Sequence, residues 1–147
     1  MHDSLKPFLT GVDHVGIAVP DLDEAIAFYR DTLGFELAHV EDNEPQGVRE
    51  AMMRAPGDHG EGTAVQLLAP LGPDTTVGKF LDRKGPGVQQ VAVRVTDIEA
   101  AAQALRAKGL RVLYDKARPG TEHSRTNFVH PKDAGGVLIE LVEPAAE

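Results

Sequence analysis

Apolar and polar residues alternate along residues 11–19: Val15, Ile17 and Val19 fall on one side of an extended chain, and His14, Gly16 and Ala18 on the other. That period of two predicts a half-buried strand. Pro20-Asp21 follows, with Asp21 placed as a helix N-cap, and the period changes to a helical one through Leu22, Ala25, Ile26 and Tyr29 until Gly34 stops it. Strands are predicted near 35–41, 48–54 and 63–69. A short helix around 75–84 is set off by Leu71-Gly72-Pro73 before it and Gly85-Pro86-Gly87 after it. The pattern then starts again, with a strand at 88–95, a helix from Thr96 or Asp97 to Lys108 broken by Gly109, and strands near 110–114, 124–130 and 136–142.

The second run is a copy of the first. Val12, Val15, Val19, Asp21, Ala25 and Arg30 align with Val88, Val91, Val95, Asp97, Ala101 and Arg106 at one fixed offset, and VQLLAP (65–70) aligns with IELVEP (139–144) at an offset two residues shorter. The first alignment sets His14 against Gln90, and the second sets Gln66 against Glu140. Each copy thus has two strands that carry one metal-ligating side chain each on an apolar background. Two related modules packed about a local twofold axis would gather the four into a metal site.

Taken singly, these residues are less telling. His14 alone reads as a hydrogen-bonded strand residue, Gln66 as an ordinary strand amide, and Glu50 as a solvated strand residue. Glu140 lies in VLIELV, where an unpaired buried carboxylate costs several kcal/mol and so calls for a cation or a proton. His39, His59, His123 and His130 have no partner among the repeated positions, and His130, just before Pro131, reads as a turn residue.

The chain has 147 residues, 41% of them apolar, enough for one domain with a sizeable core but short for two independent ones. No apolar run approaches the roughly 20 residues of a membrane helix, and residues 1–9 lack a basic start followed by an apolar stretch, so a cytoplasmic protein without a secretory leader is expected. The absence of cysteine excludes disulfides, thiolate nucleophiles and Cys-based zinc sites. A net charge of −8 argues against a nucleic-acid partner.

The segments VDHVGIAV (12–19), NEPQGVREAMM (43–53), VQLLAP (65–70), TVGKFL (76–81), GPGVQQVAVRV (85–95), LYD (113–115), SRTNFVHPKD (124–133) and GGVLIELVEP (135–144) together resemble the vicinal oxygen chelate (glyoxalase) superfamily. Within it they are most similar to the methylmalonyl-CoA epimerases. The resemblance implies an α+β fold: two βαβββ modules, 10–70 and 87–145, joined by the helix at about 75–84 in one domain over 1–147. They would form a curved eight-stranded mixed sheet around a metal site.

It also implies that His14, Gln66, Gln90 and Glu140 hold a divalent metal. Where the family reads His-His, this chain has Gln89-Gln90. An amide oxygen is a poorer donor than imidazole, so preference should move toward harder ions; Co²⁺ is expected first, with Mn²⁺, Zn²⁺ and Ni²⁺ as the other candidates. The implied reaction interconverts (2R)- and (2S)-methylmalonyl-CoA. Glu50 and Glu140 are its acid/base pair at C2, and the metal offsets the charge of the planar enolate. A homodimer is implied as well. A glyoxalase I-type isomerase and a non-catalytic ligand-binding module of the bleomycin-resistance kind are the alternatives.

Overall fold

A computed structural model of the chain describes residues 4–146; residues 1–3 and 147 of the expected 1–147 domain, and so part of the 1–9 stretch, lie outside them. The strand–helix–three-strand order recurs as expected. The first run comprises β1 (Leu9–Ala18), α1 (Leu22–Ala27), β2 (Glu36–Asn43), β3 (Val48–Arg54) and β4 (Ala64–Pro70), followed by α2 (Thr76–Lys84). The second comprises β5 (Gly87–Val95), α3 (Ile98–Ala107), β6 (Arg118–Pro119), β7 (Arg125–Val129) and β8 (Leu138–Glu143). Among the described residues no helix is long and apolar enough to cross a membrane.

The chain divides into two compact units, His14–Gln89 and the pair of segments Met1–Asp13 and Gln90–Glu147. The opening of β1 therefore belongs with the second copy of the repeat. There the Thr96 N–H donates to Phe8 O at 3.0 Å, Thr10 Oγ1 donates to Arg94 O at 3.3 Å, and Arg94 Nε donates to Asp13 Oδ1 at 2.9 Å.

In the unit His14–Gln89 the strand order is β2-β3-β4-β1, with β1 parallel to β4 and the other neighbours antiparallel. Its alternation has a direct consequence. Val19, Ala51, Met53, Leu67 and Ala69 all face Leu22 and Ile26 of α1 and are buried there. Residues of the other parity, His14, Gly16, Glu50, Met52 and Gln66, therefore lie on the opposite face. Val77 of α2 packs on Ala18, Val48 and Leu68 at one end of that opposite face.

The other unit repeats the arrangement with the order β5-β8-β7-β6 and β5 parallel to β8. Val95, Val129 and Leu141 face α3 through Ile98, Ala101, Ala102 and Leu105. Burying a side chain such as Ile98 or Leu141 in full stabilises the fold by about 1.5–3 kcal/mol each. Gln90, Ala92, Thr126, Phe128 and Glu140 lie on the face away from α3.

The helix boundaries match the local signals. Asp21 Oδ1 accepts from the Glu24 N–H at 3.0 Å and Asp97 Oδ1 from the Ala100 N–H at 3.1 Å, so both modules use an aspartate N-cap. Gly34 and Gly109 leave the helices with φ of 83° and 91°, a left-handed region that other residues rarely enter. Two expectations fail. The first helix does not remain α up to Gly34: Phe28–Thr32 widens to a π-helical turn, with the Leu33 N–H donating to Phe28 O at 3.2 Å.

The expected strand at 110–114 is reduced to a single bridge between Val112 and Val129, and the outer strand is instead the two residues of β6. The cause is competition for the backbone. Asn127 Oδ1 accepts from the Tyr114 N–H at 3.0 Å, and Asn127 Nδ2 donates to Tyr114 O at 2.9 Å. Arg106 Nη2 takes Val112 O at 3.2 Å and Tyr114 O at 2.5 Å. The ladder is thus limited to the bonds of that bridge, Leu113 N–H to Phe128 O at 2.9 Å and His130 N–H to Arg111 O at 3.0 Å, and side chains take the backbone groups beyond it.

Candidate functional site

The candidate residues fall into two groups, one in each unit. In the unit His14–Gln89, strand pairing places three of them on the face away from α1. Gln66 on β4 lies opposite Gly16 on β1, and His14 lies opposite Ala64, one pleat away from Gln66 on the same face. Gly16 brings no side chain into the space beside Gln66. On β3, Met52 is opposite Gln66 and Glu50 is opposite Leu68.

All three candidates are buried: His14 is 3% exposed, Gln66 3% and Glu50 1%. Glu50 is thus not the solvated strand residue that its local pattern indicates. Gln66 Nε2 donates to Glu50 Oε2 at 2.9 Å, so the amide turns its nitrogen to the carboxylate. Its oxygen is then the atom that would serve as a ligand.

The second group has the same backbone plan. Ala92 on β5 lies opposite Glu140 on β8, as Gly16 does opposite Gln66, and Gln90 lies opposite Leu138. Gln90 is 5% exposed and Glu140 6%. Gln90 Nε2 donates to Glu140 Oε1 at 3.0 Å, again directing the amide nitrogen toward a carboxylate. The other carboxylate oxygen, Oε2, accepts from Thr126 Oγ1 at 2.5 Å. Beyond Glu140 on the same face stands Phe128, its partner on β7. The Tyr114 ring meets Phe128 edge-on at 5.9 Å, and the Arg118 guanidinium lies 3.8 Å over the Tyr114 ring.

The donors explain how these carboxylates tolerate burial. An ionised carboxylate without partners in such a setting is strongly unfavourable, whereas charge-assisted hydrogen bonds restore much of the lost solvation. Each oxygen of the Glu140 carboxylate accepts a hydrogen bond. A carboxylate offers about four lone-pair sites, so it can accept both bonds and still coordinate a cation.

Several residues that the linear pattern passed over belong to these groups. Glu41 on β2 lies directly opposite Glu50, and His39 Nε2 is 2.8 Å from Glu41 Oε1, both side chains about a third exposed. Thr126 is fully buried at 0%. One signal was present: the offset that takes His14 to Gln90 also takes Glu50 to Thr126. It was hidden because a glutamate and a threonine do not look alike. Of the other histidines, His130 has the expected turn role, its Nδ1 accepting from the Lys132 N–H at 3.1 Å. Gln89 Oε1 is buried without a hydrogen-bond partner, but alternation along β5 puts Gln89 on the opposite face from Gln90.

A duplicated βαβββ chain with buried polar side chains at matching strand positions defines a class, and comparison identifies it. Residues 13–128 match the glyoxalase/bleomycin resistance protein/dioxygenase superfamily, and the chain belongs to it, within the methylmalonyl-CoA epimerase family. The mitochondrial methylmalonyl-CoA epimerase of Mus musculus is 39% identical over 131 residues, 88% of this chain and 71% of that protein. The crystal structure of methylmalonyl-CoA epimerase from Mycobacterium tuberculosis superposes with a TM-score of 0.89 at 54% identity, over 99% of this chain and 93% of that one. A methylmalonyl-CoA epimerase in complex with methylmalonyl-CoA and NH4+ gives a TM-score of 0.89 at 50% identity, over 94% and 96% of the two chains.

Proposed function

We propose that this protein epimerises methylmalonyl-CoA at C2, with Glu50 and Glu140 as the acid/base pair. The observation that carries the proposal is the pair of buried, hydrogen-bonded carboxylates on β3 and β8, in a chain half identical to epimerases of known structure. Inverting C2 requires one group to take the proton from one face and another to return one to the opposite face. Two carboxylates at non-equivalent positions of a duplicated fold supply two such groups. No electrons move, so no redox cofactor is needed.

Enzymes of this superfamily typically use a divalent metal, and the donor set here suits one. Among the described residues no three His, Cys, Asp or Glu side chains converge, so a cation would depend on amide oxygens. His14, Gln66, Gln90 and Glu140 would hold it with one imidazole nitrogen, two amide oxygens and one carboxylate. A single anionic ligand leaves a dication with a net positive charge, and the oxygen-rich set favours Co²⁺ or Mn²⁺ over softer ions. A bound dication would supply positive charge beside the thioester oxygen and free carboxylate of the substrate. The residues do the rest: Glu50 and Glu140 move protons at C2, while Gln66 and Gln90 hold the two carboxylates through their amide N–H groups. The resemblance to the epimerase family also supports a homodimer.

Proton–deuterium exchange tests this reading. The metal-replete protein in D₂O should incorporate deuterium at C2 of methylmalonyl-CoA and interconvert its epimers. Failure of both would refute it. Sedimentation as a monomer at micromolar concentration would count against the homodimer.

A further inference from the structure

The geometry points to Thr126 as a positioning residue for Glu140, an inference that rests on the epimerase reading above. Thr126 is at 0% exposure in the middle of the second unit, on the face away from α3. Its strand partners are Val142 on β8 and Arg118 on β6. A hydroxyl so deeply buried must find an acceptor, and it donates to Glu140 Oε2 at 2.5 Å. Gln90 Nε2 donates to Oε1 of the same carboxylate. Two donors on two oxygens define both the position and the plane of the group. A glutamate side chain with its rotatable bonds would otherwise sample several orientations.

The repeat sharpens the inference. Glu50 lies opposite Leu68 on β4, and Thr126 lies opposite Val142 on β8; because Leu68 and Val142 are equivalent in the repeat, Thr126 occupies the place of Glu50. In the first unit that place holds the carboxylate, and the neighbouring strand holds an amide that donates to it. In the second unit the carboxylate has moved to the neighbouring strand and a hydroxyl has taken its former place. Each unit keeps one hydrogen-bonded couple across the same two strands, with donor and acceptor exchanged. Thr126 is thus the second unit's half of the couple, and its work is to aim Glu140 at one face of C2.

The test compares Thr126→Val, which removes the hydroxyl with little change of shape, with Thr126→Ser, which keeps it. Both are assayed as metal-replete full chains with each epimer of methylmalonyl-CoA in D₂O. Thr126→Val should lower kcat by about 10-fold or more, the scale of one charge-assisted hydrogen bond, with KM within about twofold. Its thermal midpoint should stay close to the parent's. Epimerisation should slow alike in both directions, as the fixed equilibrium between the epimers requires. C2 exchange without inversion should fall mainly for the epimer whose proton Glu140 takes, identified as the one that Glu50→Gln still exchanges without inverting. Thr126→Ser should recover most of the rate.

A parent-like kcat in Thr126→Val, an equal loss of C2 exchange from both epimers, or no recovery with serine would each overturn the inference. If Thr126→Val does not fold, Thr126→Ala against Thr126→Ser decides by the same criteria. A readout on metal-free protein separates this inference from the epimerase reading. The infrared spectra of parent and Thr126→Val should differ in one carboxylate band, whatever the protein's activity, and an unchanged band refutes the hydrogen bond itself.

Discussion

The two units share a backbone plan and differ in where they place charge. On the face away from its helix, the first has His14, Gln66, Glu50 and Glu41; the second has, at the equivalent places, Gln90, Glu140, Thr126 and Arg118. No position of the four is occupied by the same residue. The register has been kept because shifting a strand by one residue would turn its buried set to the other face. The chemistry on that register has diverged freely, since a hydrogen-bonded couple across two strands works with the acceptor on either strand. Duplication thus supplied two frames, and divergence made their carboxylates non-equivalent. A reaction that inverts a carbon centre needs a proton-handling group on each face, and the two carboxylates can supply them.

Substitutions that make the units alike test this account. The largest effect should come from Glu140→Gln, which gives β8 the residue that β4 has in Gln66. It removes the only anionic member of the proposed ligand set and one of the proposed acid/base pair together. Epimerisation should fall by well over about 10², and calorimetric titration with Mn²⁺ should show a large loss of affinity. Retained metal affinity would mean that Glu140 is not a ligand.

Glu50→Gln removes one of the proposed proton carriers and none of the proposed ligands. Epimerisation should drop by at least about 10², the scale of a positioned acid or base, while metal affinity is kept. One epimer should still exchange its C2 proton through Glu140 without inversion. Epimerisation at the parent rate would send the search for the second base elsewhere, with Glu41, opposite Glu50 on β2, the first to examine.

Gln90→His restores at β5 the imidazole that β1 has in His14. Metal binding should tighten and preference should shift toward Zn²⁺ or Ni²⁺, with the thermal midpoint little changed. If affinity is unaltered, Gln90 serves only to hold Glu140.

The smallest expected effect concerns the turns. The second unit's turn is tied by Arg111, whose guanidinium and backbone N–H both donate to Asp133 and hold its carboxyl down to about 2. In the first unit, the N–H groups of Gly60 and Gly62 likewise lower Asp58. A carboxyl whose folded value lies below its unfolded one, about 3.9, stabilises the fold above that pH and loses the contribution as pH falls toward about 2. Asp133→Asn should therefore lower the thermal midpoint slightly above about pH 4, and the difference from the parent should vanish as the pH approaches 2. A difference that persists unchanged to pH 2 would assign the effect to the neutral hydrogen bonds.

What could be read from the sequence was whatever rests on neighbours in the chain. Alternation through Val15, Ile17 and Val19 marks β1, Asp21 and Asp97 mark helix starts, and Gly34 and Gly109 mark helix ends. The strand expected at 48–54 is β3 to the residue. Apart from the π turn at Phe28–Thr32, which is a local change of hydrogen-bond partner, the failures come from contacts across the fold. Residues 110–114 have a strand's composition, but Arg106 and Asn127 claim their backbone, and neither is adjacent to them in sequence. Glu50 has the local pattern of an exposed residue and lies buried because β2 and β4 flank its strand.

The sequence by itself determined the duplication, and through it the strand positions of His14, Gln66, Gln90 and Glu140, because a repeat conserves register and register decides which face a side chain occupies. Only the tertiary structure decided that both amides turn their nitrogens to carboxylates, that Glu41 faces Glu50, and that the hydroxyl of Thr126 closes on Glu140. These depend on which strands lie side by side. A buried donor has no water to satisfy it, so it bonds to whatever acceptor the neighbouring strand brings within reach.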